Sequence, residues 1–84
     1  MVRDTVTVGI ADGLHARPAA EFVRIAQSAG HTVLVSKPGT TAGRGDSILT
    51  IMALGAKRGD RIVIEVTGPD EKTLLQSLKT VVSG

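Results

Sequence analysis

The chain has 84 residues, of which 42% are hydrophobic and 21% charged, and its ten Lys or Arg against eight Asp or Glu leave a formal charge of +2. These proportions are typical of an ordinary globular chain, so we expect residues 1–84 to form a single domain. With no cysteine and two histidines far apart in sequence, the chain predicts neither a disulfide framework nor a metal site. A chain this short buries only about 60–65% of its unfolded surface, so a site should lie at or near the surface.

Membrane and nucleic-acid functions are both disfavoured by the pattern of residues. The N-terminus lacks a basic stretch leading into an apolar one, and no apolar run approaches the ~18 residues that a membrane span needs. The basic residues are scattered and Phe22 is the only aromatic side chain, which leaves almost no platform for stacking bases. We therefore expect a cytoplasmic protein that neither inserts into a membrane nor binds nucleic acid.

The first half of the chain predicts a strand, a helix and a hairpin. Apolar and polar residues alternate over residues 3–9, the period of a strand with one buried face. From Pro18 onward apolar residues recur at helical spacing, and Gly30 is of the type that ends a helix. A β-branched run at residues 32–37 predicts a second strand, and a turn leads to a weaker one around residues 40–42. The predicted buried face of the helix consists of Ala19, Phe22, Val23 and Ala26.

The second half predicts a short helix, a strand and a longer helix. Asp46 or Ser47 can cap an apolar helix over residues 48–54. Alternation over residues 61–67 is the clearest strand signal in the chain. The last helix opens at residues 68–69, a Gly-Pro pair, and acidic residues follow in its first turn. Its predicted apolar stripe consists of Leu74, Leu75, Leu78, Val81 and Val82.

This order, βαββαβα, predicts an α+β fold with two layers. Four alternating strands imply a sheet that is apolar on one face, and three amphipathic helices supply the layer that covers it. The predicted fold class is therefore an open-faced β-sandwich with a four-stranded antiparallel sheet. Because a helix joins residues 3–9 to residues 32–37, inserting the strand at 61–67 between those two strands allows an antiparallel arrangement.

The junction of the first strand and first helix is the candidate site. Pro18 fits the first helical turn, where its missing N–H costs nothing, which places Ala16 at the cap and His15 just outside. The free backbone N–H groups of the Ala16, Arg17 and Pro18 region then favour an anion such as phosphate. Imidazole is a nucleophile, and Arg17 adds a cationic fork for phosphate oxygens. From these residues alone, a phosphoryl-accepting His15 competes with an ordinary solvated loop histidine beside a solvated arginine.

Residues 13–19, Gly-Leu-His-Ala-Arg-Pro-Ala, resemble the active-site signature of the phosphocarrier family HPr of the bacterial sugar phosphotransferase system. Residues 47–49 and 52–55 resemble a second block of that family, and the length and element order agree with it. The resemblance implies the same open-faced sandwich and a stoichiometric carrier with no cofactor and no metal, not a turnover enzyme. It also implies that His15 accepts a phosphoryl group on Nδ1 from phospho-enzyme I and donates it to IIA domains of sugar permeases, while Arg17 helps to hold the phosphate.

The short predicted helix carries more apolar residues than it can bury. Some of them should therefore remain exposed near His15, either as a partner patch or, in the alternative interpretation, as part of the core. The resemblance favours docking, with contacts at the rim to acidic partners. The predicted docking residues are Ala20, Arg24, Ile48, Leu49, Met52 and Lys57.

Ser47 is a candidate regulatory site. It aligns with the serine that an ATP-dependent kinase phosphorylates in many Gram-positive relatives, which implies a serine kinase as a further partner and weaker docking of enzyme I after modification. Against this, Asp46 would repel an added phosphate, and a helix cap alone explains a serine here.

Two alternative functions stay open: a carrier of a nitrogen-related or dihydroxyacetone kinase relay, and a mainly regulatory adaptor, which His15 argues against. We expect a monomer.

Overall fold

The computed structural model describes all residues from 1 to 84. The seven elements follow in the order β1 (Val2–Thr7), α1 (Ala16–Ala26), β2 (Thr32–Ser36), β3 (Gly43–Arg44), α2 (Ile48–Ala53), β4 (Arg61–Thr67) and α3 (Glu71–Ser83). This is the predicted βαββαβα order. None of the helices is long and apolar enough to cross a bilayer.

The four strands form one sheet in the order β1-β4-β2-β3, and every neighbouring pair is antiparallel. Strand β4 is central: it pairs with β1 from Val2↔Val66 to Thr7↔Arg61, and with β2 on its other side. The predicted insertion of the late strand between the first two is confirmed. The predicted α+β open-faced sandwich is confirmed with it.

The helices cover one face of the sheet and enclose the core. Helix α3 packs on β1 and β4, α1 packs against α3, and α2 packs against α1. The predicted buried face of α1 is confirmed at all four positions, and Phe22 is fully buried. In α3 the predicted stripe divides, because Leu75, Leu78 and Val82 are buried whereas Leu74 and Val81 are half-buried. The core is completed by Val8, which follows β1, and by the strand residues Val6, Val33, Val35, Ile62, Ile64 and Val66.

Three strands differ from the prediction, and in the smallest difference β2 ends at Ser36 instead of residue 37. Strand β1 covers Val2–Thr7 instead of residues 3–9, because the Gly9 N–H bonds to the Val82 carbonyl at 3.0 Å and the chain turns there toward the end of α3. The third strand is Gly43–Arg44, so the prediction of residues 40–42 was wrong. Thr40 closes a turn by donating to the Lys37 carbonyl from both its N–H (3.1 Å) and its Oγ1 (2.7 Å). The chain therefore pairs with β2 only from Gly43 onward.

Helix boundaries also differ, and in the smallest difference α2 ends at Ala53 instead of residue 54. Helix α1 ends at Ala26, and Gly30, the predicted end, lies in the following turn with φ +78°. Helix α3 begins at Glu71 and not at residues 68–69. The N–H of its cap residue, Asp70, donates to Nε2 of His31 at 3.1 Å, while Nδ1 of the same ring lies 3.0 Å from the Ala29 carbonyl. His31 thus ties the turn after α1 to the start of α3.

Candidate functional site

His15 is the N-cap residue of α1. Its backbone is extended (φ −82°, ψ −172°), and its carbonyl accepts the first helical hydrogen bond from the Ala19 N–H at 3.0 Å. The prediction that Ala16 is the cap was therefore wrong by one residue. The imidazole is exposed and makes no capping hydrogen bond, so the ring is free to react with a group that approaches from solvent.

Two backbone donors remain free at the start of α1. The His15 N–H donates to the Gly13 carbonyl at 2.9 Å, and Pro18 has no N–H. The N–H groups of Ala16 and Arg17 have no partner in the protein. Because the positive end of the helix dipole lies at the same place, these two donors favour an anion beside the His15 ring. Pro18, which belonged to the predicted phosphate-binding region, shapes the turn but adds no donor.

Arg17 is an exposed cation without an ion pair or side-chain hydrogen bond in the protein. Arg24, two turns further along α1, differs from it. Its Nε and Nη2 donate to the Glu21 carboxylate at 3.0 and 2.6 Å, and these hydrogen bonds hold the pKa of Glu21 below its usual range. Arg24, a predicted docking cation, therefore has its charge balanced by Glu21, whereas the charge of Arg17 remains available beside His15.

A backbone contact fixes the loop that carries His15. The Leu14 N–H donates to the Ala56 carbonyl at 3.0 Å. Gly13 has φ +72°, and a Cβ built on it would lie 2.5 Å from that same carbonyl oxygen, so only glycine fits this close approach. The sequence motif at residues 13–19 contains Gly13, but Ala56, against which Gly13 packs, lies more than forty residues further along the chain. No local sequence pattern indicates this contact.

The prediction that some apolar residues of α2 remain exposed is confirmed. Leu49 is 83% exposed, Ile48 46% and Met52 42%, whereas Ile51 is fully buried. Helix α2 packs against α1, and the chain then leads to Ala56, which bonds the His15 loop. The exposed apolar residues are thus carried by the helix that lies beside the site.

The other predicted docking residues are also exposed. Ala20 lies one turn after Ala16 on α1. The Cα of Lys57 lies 3.0 Å from the Cβ position built on Gly13, which places this lysine beside the His15 loop. Ala20 therefore lies on the helix that begins after His15, and Lys57 lies beside the loop that precedes it.

Ser47 is the N-cap of α2, one of the two caps predicted there. Its Oγ accepts from the Thr50 N–H at 3.3 Å, and the residue is half-buried. Asp46 does not cap the helix, because its carboxylate binds Arg44 through Nε at 3.0 Å and Nη2 at 2.8 Å. These hydrogen bonds lower the pKa of Asp46. Arg44 thus balances the charge that was expected to repel a phosphate on Ser47.

The site is an exposed surface and not a cleft. The two depressions of the molecule lie at the start of α3 (residues 69–73) and beside β2, next to Arg44 and Asp46. Neither depression includes His15. Small-molecule sites are usually concave, so an exposed histidine beside an apolar helix surface suits a macromolecular partner better.

Comparison with known proteins assigns the family. The family model described as the PTS HPr component phosphorylation site matches residues 2–83. The chain belongs to this family. It is 36% identical over 83 residues to the phosphocarrier protein HPr of Streptomyces coelicolor, which covers 99% of this chain and 89% of that protein. It is 30% identical over 77 residues to the phosphocarrier protein NPr of Escherichia coli, covering 92% of this chain and 86% of that protein.

The fold is also similar to solved structures of the family. The crystal structure of HPr from Bacillus anthracis matches with a TM-score of 0.87 at 34% identity, covering 96% of this chain and 95% of that chain. The resemblance and the fold class that the sequence predicted are therefore confirmed. Family membership supports a general role as a phosphocarrier of the phosphotransferase system.

Proposed function

We propose that this protein is a stoichiometric phosphoryl carrier, a single domain of residues 1–84 that accepts a phosphoryl group on His15 and passes it on. The observation that carries the proposal is the exposed His15 ring at a helix start where the Ala16 and Arg17 N–H groups have no partner in the protein. The unpaired guanidinium of Arg17 lies in the same turn. The protein is covalently modified and then restored, so it is an intermediate and not a turnover enzyme.

The transfer forms one nitrogen–phosphorus bond as another bond to phosphorus breaks. The lone pair of Nδ1 of His15 attacks the phosphorus of phospho-enzyme I, and the donor leaves with the electron pair of the broken bond. The two free N–H groups and Arg17 hold the phosphoryl oxygens during the transfer. Transfer to a IIA domain repeats the step with His15 as the leaving group. Few fixed donors hold the phosphate, which keeps the second step possible.

Enzyme I and the IIA domains dock on the same surface in this proposal. Ile48, Leu49 and Met52 supply its apolar part, since they are exposed on α2 beside the site. Ala20 and Arg24 border it on α1, and Lys57 borders it at the His15 loop. Met52 is flexible, which suits a surface that must accept more than one partner. We propose that the carrier acts as a monomer in the cytoplasm. Because Crh of Bacillus subtilis crystallised as a swapped dimer, the monomer needs a test, and the molar mass measured by sedimentation provides it.

We also propose that a serine kinase modifies Ser47. The hydroxyl is half-buried and holds the Thr50 N–H weakly at 3.3 Å, and the ion pair between Arg44 and Asp46 reduces repulsion of an added phosphate. Phosphorylation would place two negative charges beside Ile48 and Leu49 and weaken docking by desolvation and repulsion.

A carrier of a nitrogen-related relay is the second candidate. The 30% identity to the NPr of Escherichia coli over 92% of this chain favours it. The two candidates differ in their phosphoryl donors. Comparing rates of phosphorylation by enzyme I of the sugar system and by its nitrogen-system counterpart distinguishes them, because the native donor should be faster at equal concentration.

Mass measurement of the phosphorylated protein tests the main proposal. The protein is incubated with phosphoenolpyruvate and enzyme I and its intact mass is measured before and after acid treatment. We expect the mass of one phosphoryl group, labile to acid, in the wild type and none in His15→Ala. The matched control is His31→Ala, since His31 is the other histidine of the chain and should leave the modification intact. Modification that persists in His15→Ala would contradict the proposal.

A further inference from the structure

Few side chains of this protein react with mild oxidants. The chain contains no Cys, Trp or Tyr, and its two thioethers belong to Met1 and Met52. Both methionines are exposed, Met1 at 66% and Met52 at 42%. A peroxide dissolved in the surrounding water can therefore reach both side chains, and their sulfur atoms are the groups of the chain that it oxidises first.

Met52 shares one face of α2 with the other exposed apolar residues. Ile48 lies four residues before it and Leu49 three residues before it, and these two spacings place side chains next to each other on a helix. Ile51, in contrast, is fully buried and holds α2 to the core. The thioether of Met52 is therefore part of the exposed apolar surface and not of the core.

The backbone around Met52 connects this residue to the His15 loop. The Met52 carbonyl accepts from the Gly55 N–H at 3.1 Å, which closes the turn after α2. The carbonyl of the next residue, Ala56, accepts from the Leu14 N–H at 3.0 Å, and His15 follows Leu14. Met52 is thus the exposed apolar residue of α2 that lies closest along the chain to the contact that fixes His15. A partner that contacts both His15 and the exposed face of α2 therefore meets Met52.

Met1, the other thioether, lies at a different part of the molecule. Its amine pairs with the Glu71 carboxylate in the first turn of α3 at 3.0 Å. The first residue of β1 pairs with the end of β4 (Val2↔Val66), whereas the His15 loop follows the opposite end of β1. Oxidation of Met1 should therefore leave the surface around His15 unchanged, so Met1 serves as an internal control.

We infer that Met52 is a redox-sensitive modification site, at which oxidation to the sulfoxide reversibly weakens the docking of enzyme I. The inference rests on the proposed function and adds a control by oxidant to it. Hydrogen peroxide supplies the oxygen: the sulfur lone pair forms an S–O bond as the O–O bond breaks. The leaving hydroxide takes the proton of the transferred oxygen and departs as water. The sulfur loses two electrons, and the peroxide gains them.

The sulfoxide changes the chemistry of the docking surface and not the fold. A flexible apolar side chain becomes a polar one. In the free protein water satisfies the new oxygen, but docking would bury this acceptor beside Ile48 and Leu49 and remove its water. The fold should persist because Ile51, which anchors α2, is not modified. Methionine sulfoxide reductases return the sulfur to the thioether with two electrons from a dithiol, so the change is reversible.

Peroxide treatment of the wild type and a matched variant tests the inference. Both proteins are treated with hydrogen peroxide, the added oxygen is located by peptide mass mapping, and affinity for enzyme I is measured before and after by titration calorimetry. We expect oxidised wild type to bind about fivefold or more weakly, because an unpaired acceptor is buried. Met52→Leu retains only the Met1 thioether, so its affinities before and after treatment should agree. Reductase with dithiothreitol should restore the wild-type affinity, and both wild-type forms should unfold at the same urea concentration.

The outcomes distinguish this inference from the proposed function. If the reduced wild type neither binds enzyme I nor is phosphorylated at His15, the proposed function fails and the inference fails with it. If the reduced wild type is phosphorylated but the oxidised form binds as tightly, only the role of Met52 is overturned. An equal loss in Met52→Leu, or a lower urea midpoint of the oxidised wild type, also overturns it, because the damage then lies elsewhere or in the fold. Oxidation of Met1 without Met52 excludes an accessible thioether, and an affinity that the reductase does not restore excludes a reversible site.

Discussion

The hydrogen bond from the Leu14 N–H to the carbonyl of Ala56 joins the His15 loop to the segment between α2 and β4. His15 follows Leu14 directly, and the exposed apolar residues of α2 end four residues before Ala56. One short contact therefore sets the position of His15, the proposed phosphoryl acceptor, relative to the exposed apolar residues of α2. Any change that separates the two segments should impair transfer without removing a reactive side chain.

The substitution Gly13→Ala is predicted to separate the His15 loop from the segment that contains Ala56. The new Cβ would lie 2.5 Å from the Ala56 oxygen, and φ +72° is itself unfavourable for alanine. We expect the free energy of unfolding to fall by about 2–5 kcal/mol, from about 1–2 for the backbone conformation and a further 1–3 for the clash. Urea denaturation measures this loss, and the rate of phosphorylation should fall as well.

Gly39→Ala is the matched control for this substitution. Gly39 has φ +81°, but a Cβ there meets nothing within 4 Å. It should lose only the backbone part, about 1–2 kcal/mol, and keep the wild-type rate of phosphorylation. Equal losses of stability in the two variants, with unchanged transfer in both, would contradict the role assigned to the contact between Gly13 and Ala56.

Arg17→Ala is predicted to slow phosphoryl transfer without weakening the fold. The side chain is exposed and makes no ion pair, so the free energy of unfolding, measured in urea, should stay within about 0.5 kcal/mol of the wild type. Its guanidinium can bind two phosphoryl oxygens at once, whereas lysine supplies only a point charge. The rate should therefore decrease from wild type to Arg17→Lys to Arg17→Ala in rapid-quench measurements. Unchanged kinetics in Arg17→Ala would remove this residue from the site.

Much of the fold is predictable because burial repeats locally. The four residues predicted to form the buried face of α1 are all buried, since a spacing of three and four places them on one side of any helix. The place of β4 between β1 and β2 follows from the same reasoning, because one covered face and antiparallel pairing leave few arrangements.

The predictions that were wrong concern features that depend on distant contacts or show no periodic pattern in the sequence. Gly43–Arg44 forms a strand of two residues, too short to show a period. The start of α3 depends on His31, whose Nε2 accepts from a backbone N–H 39 residues away. Within the site, the motif located His15, but Pro18 does not fix the cap, because a missing N–H is tolerated throughout the first turn. Whether Arg24 is free depends on the side-chain conformation of Glu21, which sequence spacing permits but does not determine.

Leu49→Glu is predicted to weaken docking while leaving stability unchanged. Leu49 is 83% exposed, so its loss removes little buried surface. Enzyme I affinity should fall at least about fivefold, or about 1 kcal/mol, because a charge would be buried against the partner. The control on the same helix is Ile51→Ala, which is fully buried and should cost about 2–5 kcal/mol of stability. Unaltered affinity of Leu49→Glu in titration calorimetry would exclude this residue from the docking surface.

Acid should destabilise the fold through its paired carboxylates. The hydrogen bond from Lys79 lowers the pKa of Asp4 below its usual value of 3.8, and the pKa values of Asp60 and Glu71 are also lowered, by the Lys57 backbone and the N-terminal amine respectively. A carboxyl with a lowered pKa binds its proton more tightly in the unfolded chain, so its stabilisation is present above the usual pKa and is lost as the pH falls below it. The urea midpoint should therefore decrease from pH 5 toward about pH 3.

The Asp4–Lys79 pair supplies the internal control for this pH dependence. Asp4→Asn removes the titrating group and Lys79→Met removes its donor, so each variant should lose less stability than the wild type between pH 5 and about pH 3. The two variants should resemble each other in this respect. A pH dependence equal to that of the wild type in both would mean that this pair does not contribute to the acid sensitivity.

Ser47 variants are predicted to separate capping from docking. Ser47→Ala removes the oxygen that accepts from the Thr50 N–H, which should cost about 1 kcal/mol in urea denaturation, while the neutral surface beside Ile48 and Leu49 keeps its affinity for enzyme I. Ser47→Asp retains a capping oxygen but adds a negative charge next to those apolar residues. It should keep most of the stability and lose affinity, in the direction expected of phosphorylation. The two substitutions should thus rank oppositely in stability and in docking. If Ser47→Asp binds enzyme I as tightly as Ser47→Ala, charge at this position does not control docking, and the regulatory proposal for Ser47 loses its physical basis.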